Sequence, residues 1–216
     1  MREIETAFVG KMIAGVSHEL MNVLAIIKER SGLIEDLLAL DNTSFPYRDK
    51  LTKTLLTIRE QVGRGMEISD RVNKFAHTMD ESMVRLGIDE LLDQLAFLMQ
   101  RFARLKKVQL KVGPVEPSVL IDTDPFRLQM ILAACLEYCL ARTASQGVIT
   151  LQCQHKGKEI AIQCVSEPNS SPKEDVHEFP NLQANLQQAL DDLGLRLLPL
   201  SGKHQVGLEL ILPTSK

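Results

Sequence analysis

Ala14-Gly15-Val16-Ser17-His18-Glu19-Leu20-Met21-Asn22-Val23-Leu24-Ala25-Ile26-Ile27-Lys28-Glu29 sets the organisation of this chain. At a spacing of about 3.5 residues, Val9, Ile13, Val16, Leu20, Val23, Ile27, Ile34 and Leu37 keep to one seam, the a/d pattern of a long helix packed lengthwise against others. His18 stands two residues from both Val16 and Leu20, at an f-like position pointing away from the seam into solvent. Glu19 adjoins it, and Asn22 follows one turn along the same face. An exposed imidazole with a carboxylate and an amide beside it, on a rigid helix, suggests a nucleophile presented to a partner.

Working outward, the first helix is predicted from about residue 3 to Leu40, and Asp41-Asn42-Thr43-Ser44-Phe45-Pro46 supplies a turn with cap residues and a proline. A second helix continues to about Met79. Its apolar or small positions are Leu51, Leu55, Ile58, Val62, Gly65, Ser69, Val72, Ala76 and Met79, spaced alternately four and three. Two helices joined by a short loop form an antiparallel hairpin. Each carries more apolar seam than one partner covers, so two hairpins are expected to pair as a homodimeric four-helix bundle. Gly63, Gly65 and Ser69 fall near the level of His18 in a symmetric hairpin.

After Asp80 the heptads give way to alternating elements. Ser82 to Ile88 predicts a strand, Asp89 to Lys106 an amphipathic helix, and Val108 to Val112 and Val119 to Ile121 further strands. Thr123-Asp124-Pro125 opens a helix reaching about Ala144, with Thr or Asp as cap. Val148 to Gln154 and Glu159 to Val165 form a hairpin around Lys156-Gly157-Lys158, and Ser166 to Glu178 is a polar loop. Asn181 to Leu193 is helical and stopped by Gly194, followed by strands at Leu195 to Leu200 and Val206 to Leu212. The fold class is therefore α+β: a helical hairpin over 1–80, then an α/β sandwich over 81–216 with its helices on one face of the sheet.

Composition narrows the function. The 216 residues are 44% hydrophobic and 25% charged, ordinary for a globular protein. A net charge of −3 gives no basic face for nucleic acid. No apolar run approaches the roughly 20 residues that span a bilayer, and no signal peptide opens the chain, so no membrane association and a cytoplasmic location are expected. Only 17 residues precede His18, so a signal is expected to arrive through another protein. Cys135 and Cys139 lie in an apolar helical run, and Cys153 and Cys164 in strand-like stretches. They read as buried reduced thiols, with no zinc or other metal site.

His18-Glu19-Leu20-x-Asn22 with its apolar continuation resembles the phosphoacceptor box of two-component sensor histidine kinases. In that family the phosphorylated histidine sits on the first helix of a dimeric hairpin. Val23 stands where the family has proline, so the helix is expected to run straighter. The resemblance continues through Val119-Leu120-Ile121-Asp122-Thr123-Asp124-Pro125-Phe126-Arg127-Leu128, similar to the family's strand and Asp-Pro-x-Arg-Leu helix start, and through Leu210-Ile211-Leu212-Pro213, similar to its last strand. It implies a first segment, 1–80, for dimerisation and phosphotransfer, and a second, 81–216, related to the ATP-binding domain.

The family's nucleotide-handling residues are not found. Its two helix asparagines correspond to Ala133 and Glu137, its Asp-x-Gly-x-Gly motif to Ser166-Glu167-Pro168-Asn169-Ser170, and its second glycine box to a glycine-free Pro180 to Leu190. Without those glycines backbone amides cannot close on phosphates, so ATP binding and tightly bound cofactors are not expected. A phosphoacceptor hairpin on a degenerate ATP-binding domain is similar to the dimeric histidine phosphotransferases, which pass phosphoryl groups between receiver-domain aspartates of response regulators. That resemblance implies receiver domains as partners, with an upstream hybrid histidine kinase as a further one, and Mg²⁺ supplied by the receiver. It also implies catalytic roles for three residues. His18 Nε2 attacks the aspartyl phosphate, Glu19 accepts the Nδ1 proton and fixes the tautomer, and Asn22 orients water for dephosphorylation. Neutral imidazole is the competent form, so transfer is expected to fade as the medium turns acidic. Two alternatives stand beside it: a pseudokinase or phosphatase acting by binding a receiver, and a kinase with an altered nucleotide site.

Overall fold

The computed structural model describes residues 2–39, 48–80, 82–113, 119–157, 159–167, 178–202 and 205–213. The turn expected at Asp41–Pro46 and the Pro168-Asn169-Ser170 stretch lie outside them, as does Lys158 of the hairpin turn. The described chain divides into two compact units, Ile13–Lys74 and Met1–Met12 together with Phe75–Lys216.

Helix α1 spans Arg2–Ala39 without interruption at Val23, and α2 spans Arg48–His77. They run antiparallel, since Phe8 meets Phe75 and Glu19 meets Arg64. Within Ile13–Lys74 the buried side chains are Val23, Leu37, Thr54 and Ile68, flanked by half-buried Val16, Glu19, Ile26, Ile58, Gln61 and Val72. The interior stripe is thus offset from the expected seam. It keeps Val16, Val23, Ile27, Ile34 and Leu37 of α1 and Leu51, Ile58, Gly65 and Val72 of α2, but it takes in Glu19 where Leu20 was expected and Thr54, Gln61 and Ile68 where Leu55, Val62 and Ser69 were. Leu20, Leu55 and Val62 are instead 37%, 55% and 46% exposed. One helix covers only a narrow stripe of another, so the second apolar stripe of each helix stays uncovered within the chain. Thr54 is accommodated inside because its Oγ1 donates back to the Lys50 carbonyl at 2.8 Å.

In the other unit, β1 (Val84–Gly87) pairs antiparallel with β3 (Leu120–Thr123). A five-stranded sheet runs in the order β2 (Gln109–Val112), β4 (Val148–Lys156), β5 (Glu159–Glu167), β7 (Gln205–Pro213), β6 (Arg196–Gly202). Among the described strands only the β2–β4 pair is parallel. Helix α3 (Ile88–Leu105) packs on β2 and β4, α4 (Pro125–Arg142) on β5 and β7, and α5 (Glu178–Asp192) beside β6. Every helix and strand expected from the sequence is present, with ends shifted by a few residues. The central strands β5 and β7 are buried on both faces: Ala161, Gln163, Val165, Glu209 and Ile211 on one, and Ile160, Ile162, Leu208 and Leu210 on the other, which they share by register with buried Ile149 and Leu151 of β4. Thr143 and Ser166 hydroxyls meet at 3.1 Å on that side, below the end of α4. Asp124, the expected cap, accepts from the Arg127 amide at 2.9 Å. Gly194 takes φ +64 after α5, the left-handed stop the sequence called for. Gly207 is required by close approach, because a Cβ there would overlap the Cys164 carbonyl oxygen.

Phe8, Phe75 and Phe126 form an aromatic trio with centroids 5.6, 5.6 and 6.3 Å apart, so the first turns of α1 and the end of α2 belong to the α/β unit. Cys135, Cys139 and Cys164 are buried free thiols, and Cys153 is half-buried. Burial pushes the Cys139 thiol up to about 12 and raises the Cys135 and Cys164 thiols strongly, which leaves all three unreactive.

On the opposite sheet face, Gln152 donates to Gln163 at 2.7 Å, Gln163 to Glu209 at 2.6 Å, and Lys156 to Glu209 at 2.7 Å. Burial raises the Glu209 carboxyl, but the hydrogen bonds from Lys156 and Gln163 and the Lys156 charge outweigh it and hold the group below its usual range. A carboxyl depressed on folding stabilises above its unfolded value and loses that contribution as pH falls through the folded value. Glu209→Gln is therefore expected to lower stability by about 1–2 kcal/mol near neutrality. The gap should close below about pH 4. Urea unfolding across that range measures it, and a gap that stays constant with pH would show that ionisation of Glu209 is not the source.

Candidate functional site

His18 is exposed on α1 because the interior stripe takes positions 16, 19 and 23, leaving 18 on the outer side. Asn22 is exposed one turn along His18's face, as the spacing demands. Glu19 turns the other way. Its side chain is 16% exposed, and its Oε2 accepts from Arg64 Nη2 across the hairpin at 3.0 Å. Val23, buried at 2%, anchors the turn below. Gly65 lies opposite the same level, where a Cβ would sit 3.4 Å from Val23 Cγ1 and 4.0 Å from Leu20 Cδ1. A Cβ at Gly63 would meet nothing within 4 Å, whereas Gly65 thus lies against the turn of α1 that follows His18. Those distances are ordinary contact, so glycine there is tolerated rather than required.

Arg64 was missed in the sequence, although a signal existed. Glu19 and Arg64 are 45 residues apart, and their midpoint falls between Asp41 and Asn42, inside the expected turn. A symmetric hairpin would have paired them.

The helix that would carry nucleotide-binding asparagines places its residues otherwise. Ala133 is buried at 1%, and Glu137 pairs with Lys11 at 2.6 Å. One residue further along the helix, Tyr138 packs edge-on to Phe179 at 6.4 Å and carries the Arg142 guanidinium at 3.7 Å over its ring. Helix α4 contains no asparagine in either register. At its N-terminus Arg127 reaches Glu5 and Asp124 at 3.6 Å and Asp192 at 3.0 Å. An open cavity of about 620 Å³ adjoins that cluster, lined among others by Glu5, Val9, Met79, Asp80 and Phe126, and includes neither Ala133 nor Glu137. Among the described residues no three His, Cys, Asp or Glu side chains gather as metal ligands, and no helix is long and apolar enough to cross a membrane.

No protein-family model matches the sequence, and no curated protein matches it. Solved structures do. The nucleotide-free catalytic domain of histidine kinase ThkA is similar over 62% of this chain and 97% of its own, at 12% identity and a TM-score of 0.52. The Acinetobacter baumannii histidine kinase AdeS is similar over 92% of this chain and 98% of its own, at 13% identity and a TM-score of 0.52. ThkA in complex with the response regulator protein TrrA is similar over 100% of this chain and 64% of its own, at 15% identity and a TM-score of 0.52. Likeness at such identities is likeness of fold, and the chain has the mixed α+β fold of histidine kinase cores.

Proposed function

We propose that the protein is a cytoplasmic histidine phosphotransferase of a two-component phosphorelay, passing phosphoryl groups between His18 and receiver-domain aspartates. The observation that carries this is the exposed His18, with Asn22 on its face and Glu19 beside it, on a histidine-kinase-like fold whose α4 offers no asparagine to a nucleotide. A structural neighbour solved with a response regulator supports a receiver domain as the partner. The uncovered apolar stripes of α1 and α2 support a homodimer closed as a four-helix bundle.

In this reading the neutral imidazole attacks in line through Nε2. The N–P bond forms as the aspartyl P–O bond breaks, and the aspartate leaves as carboxylate. Glu19 takes up the Nδ1 proton or its hydrogen bond and fixes the tautomer. Mg²⁺ held by the receiver offsets the phosphoryl charge, and Asn22 orients water when the receiver is dephosphorylated.

The test is incubation with receiver domains charged from radiolabelled acetyl phosphate. Acid-labile label should pass to the protein, and failure across a broad receiver panel would refute the reading. Nucleotide separates the kinase alternative. Millimolar ATP with Mg²⁺ is expected neither to raise the melting temperature nor to label the protein. Micromolar ATP affinity by calorimetry would favour an autokinase instead.

A further inference from the structure

We propose that the open cavity beside Arg127 binds a small organic cation of the di- or polyamine class. The site lies within one compact unit, between the first turns of α1, the residues that follow α2 and the start of α4. It is separate from the His18 chemistry and shares no residue with it.

Size and lining set the kind of occupant. A volume of about 620 Å³ is on the scale of sites that take small molecules. Val9, Met79 and Phe126 make part of the wall apolar, so methylene groups that rest there leave water favourably. Gly10 bares the helix backbone in the same wall. A Cβ there would meet no atom within 4 Å, so no neighbour in the fold requires glycine, and glycine inside a helix lowers its stability. What the glycine leaves is room.

Charge sets the sign of the occupant. Arg127 is the one basic residue of the lining, and it is already engaged. Its Nε stands 3.6 Å from both Glu5 Oε1 and Asp124 Oδ2, and its Nη1 donates to Asp192 Oδ2 at 3.0 Å. One guanidinium thus faces three carboxylates, all four groups partly buried. Asp80 adds a further carboxylate to the lining and pairs with His77 at 3.4 Å instead of joining Arg127. The N-terminus of α4, a place an anion would otherwise favour, is closed by the Asp124 cap at 2.9 Å from the Arg127 amide. An anion is therefore repelled, while a cation offsets the crowding of like charge. A metal ion does not match, because among the described residues no three such groups gather as ligands. Negative charge at two places of a partly apolar wall suits ammonium groups joined by methylenes.

The experiment titrates cadaverine and spermidine into the whole chain by calorimetry, at about 0.15 M salt so that diffuse attraction between exposed charges is screened. Saturable binding of one amine per chain is expected, with neither uncharged pentanediol nor Mg²⁺ displacing it. Gly10→Leu should weaken binding about 10-fold or more by filling the wall, while its melting temperature stays level or rises. Glu5→Gln removes one carboxylate, leaves Asp124 and Asp192 on Arg127, and should weaken binding about 10-fold. Asp70→Asn, at an exposed carboxylate of the other unit, should leave it unchanged. Circular dichroism checks the fold of each variant, and Glu5→Gln carries the test if Gly10→Leu is altered. No saturable binding to wild type would overturn the proposal, as would displacement by pentanediol or Mg²⁺. Equal weakening by Asp70→Asn, or full affinity in both Gly10→Leu and Glu5→Gln, would overturn it too. Two other occupants are read in the same experiment, and either replaces the amine. Affinity that falls as protein concentration rises assigns the cavity to a second copy of the chain. Binding of a lysine-rich peptide without binding of either free amine makes it a protein-docking surface. His18 labelling is decided separately and stands or falls on its own result.

Discussion

A His18→Gln variant is expected to stay folded, to keep its wild-type assembly and to accept no acid-labile phosphate from a charged receiver. The size of the effect follows from there being one nucleophile in the proposed reaction. Glutamine fills a similar volume but has no lone pair of imidazole basicity, so labelling should fall to background rather than slow. Little stability should go with it, because His18 is exposed and lies outside the interior stripe of 16, 19 and 23. Its two neighbours should separate by role. Glu19→Gln keeps the shape but loses the charge, and transfer should slow by roughly 10²-fold. Because Glu19 is also the partner of Arg64, some loss of hairpin stability is expected with it. Asn22→Ala should leave forward labelling nearly unchanged and lengthen the phosphoryl lifetime on the receiver. Labelling time courses for the three variants beside wild type decide the matter. Undiminished label on His18→Gln would mean that the histidine is only a surface residue of a helix.

The sequence showed which face His18 occupies but not which stripe lies inside. Heptad positions a and d give two adjacent rows, and hydrophobicity alone cannot say which of two apolar neighbours meets the nearer helix. Leu20 and Val62 are more apolar than Glu19 and Gln61, yet the latter pair is the more buried. Glu19 is accepted inside because Arg64 stands at the right height to pair with it, a partner that depends on the register of the hairpin and lies beyond local patterning, whereas Gln61 Oε1 is buried without a hydrogen-bond partner. The α/β unit was more legible. Alternating or continuously apolar runs marked β4, β5 and β7, and Asp124-Pro125 and Gly194 marked helix ends, because caps and strand patterns are set by residues close in sequence. Contacts between distant segments were not legible: the Gln152–Gln163–Glu209–Lys156 network joins three strands, and Phe8, Phe75 and Phe126 come from α1, α2 and α4. Phe8 and Phe126 read only as apolar residues until their helices are brought together.

The stripe offset leads to a second large effect. If the outer rows of α1 and α2 close a homodimer, wild type should scatter light as a dimer at micromolar concentration, and Val62→Glu should scatter as a folded monomer. Val62 is 46% exposed within a single chain, so a carboxylate there remains solvated when the chain is alone and costs the isolated fold little. In a four-helix core the same carboxylate would be buried without a partner, at a cost of several kcal/mol. Two copies in a symmetric interface would double it. Ile68→Glu is the contrast. Ile68 is 3% exposed between the two helices of one chain, so that variant should unfold the hairpin whether or not a second copy is present. Dissociation with retained helicity for Val62→Glu, against lost helicity for Ile68→Glu, would assign the outer stripe to the second copy and the inner stripe to the fold. A wild-type monomer would leave Leu20, Leu55 and Val62 to a different partner. The four-helix bundle would then have to be given up, while His18, on the outer side of α1, could still act as a phosphoacceptor.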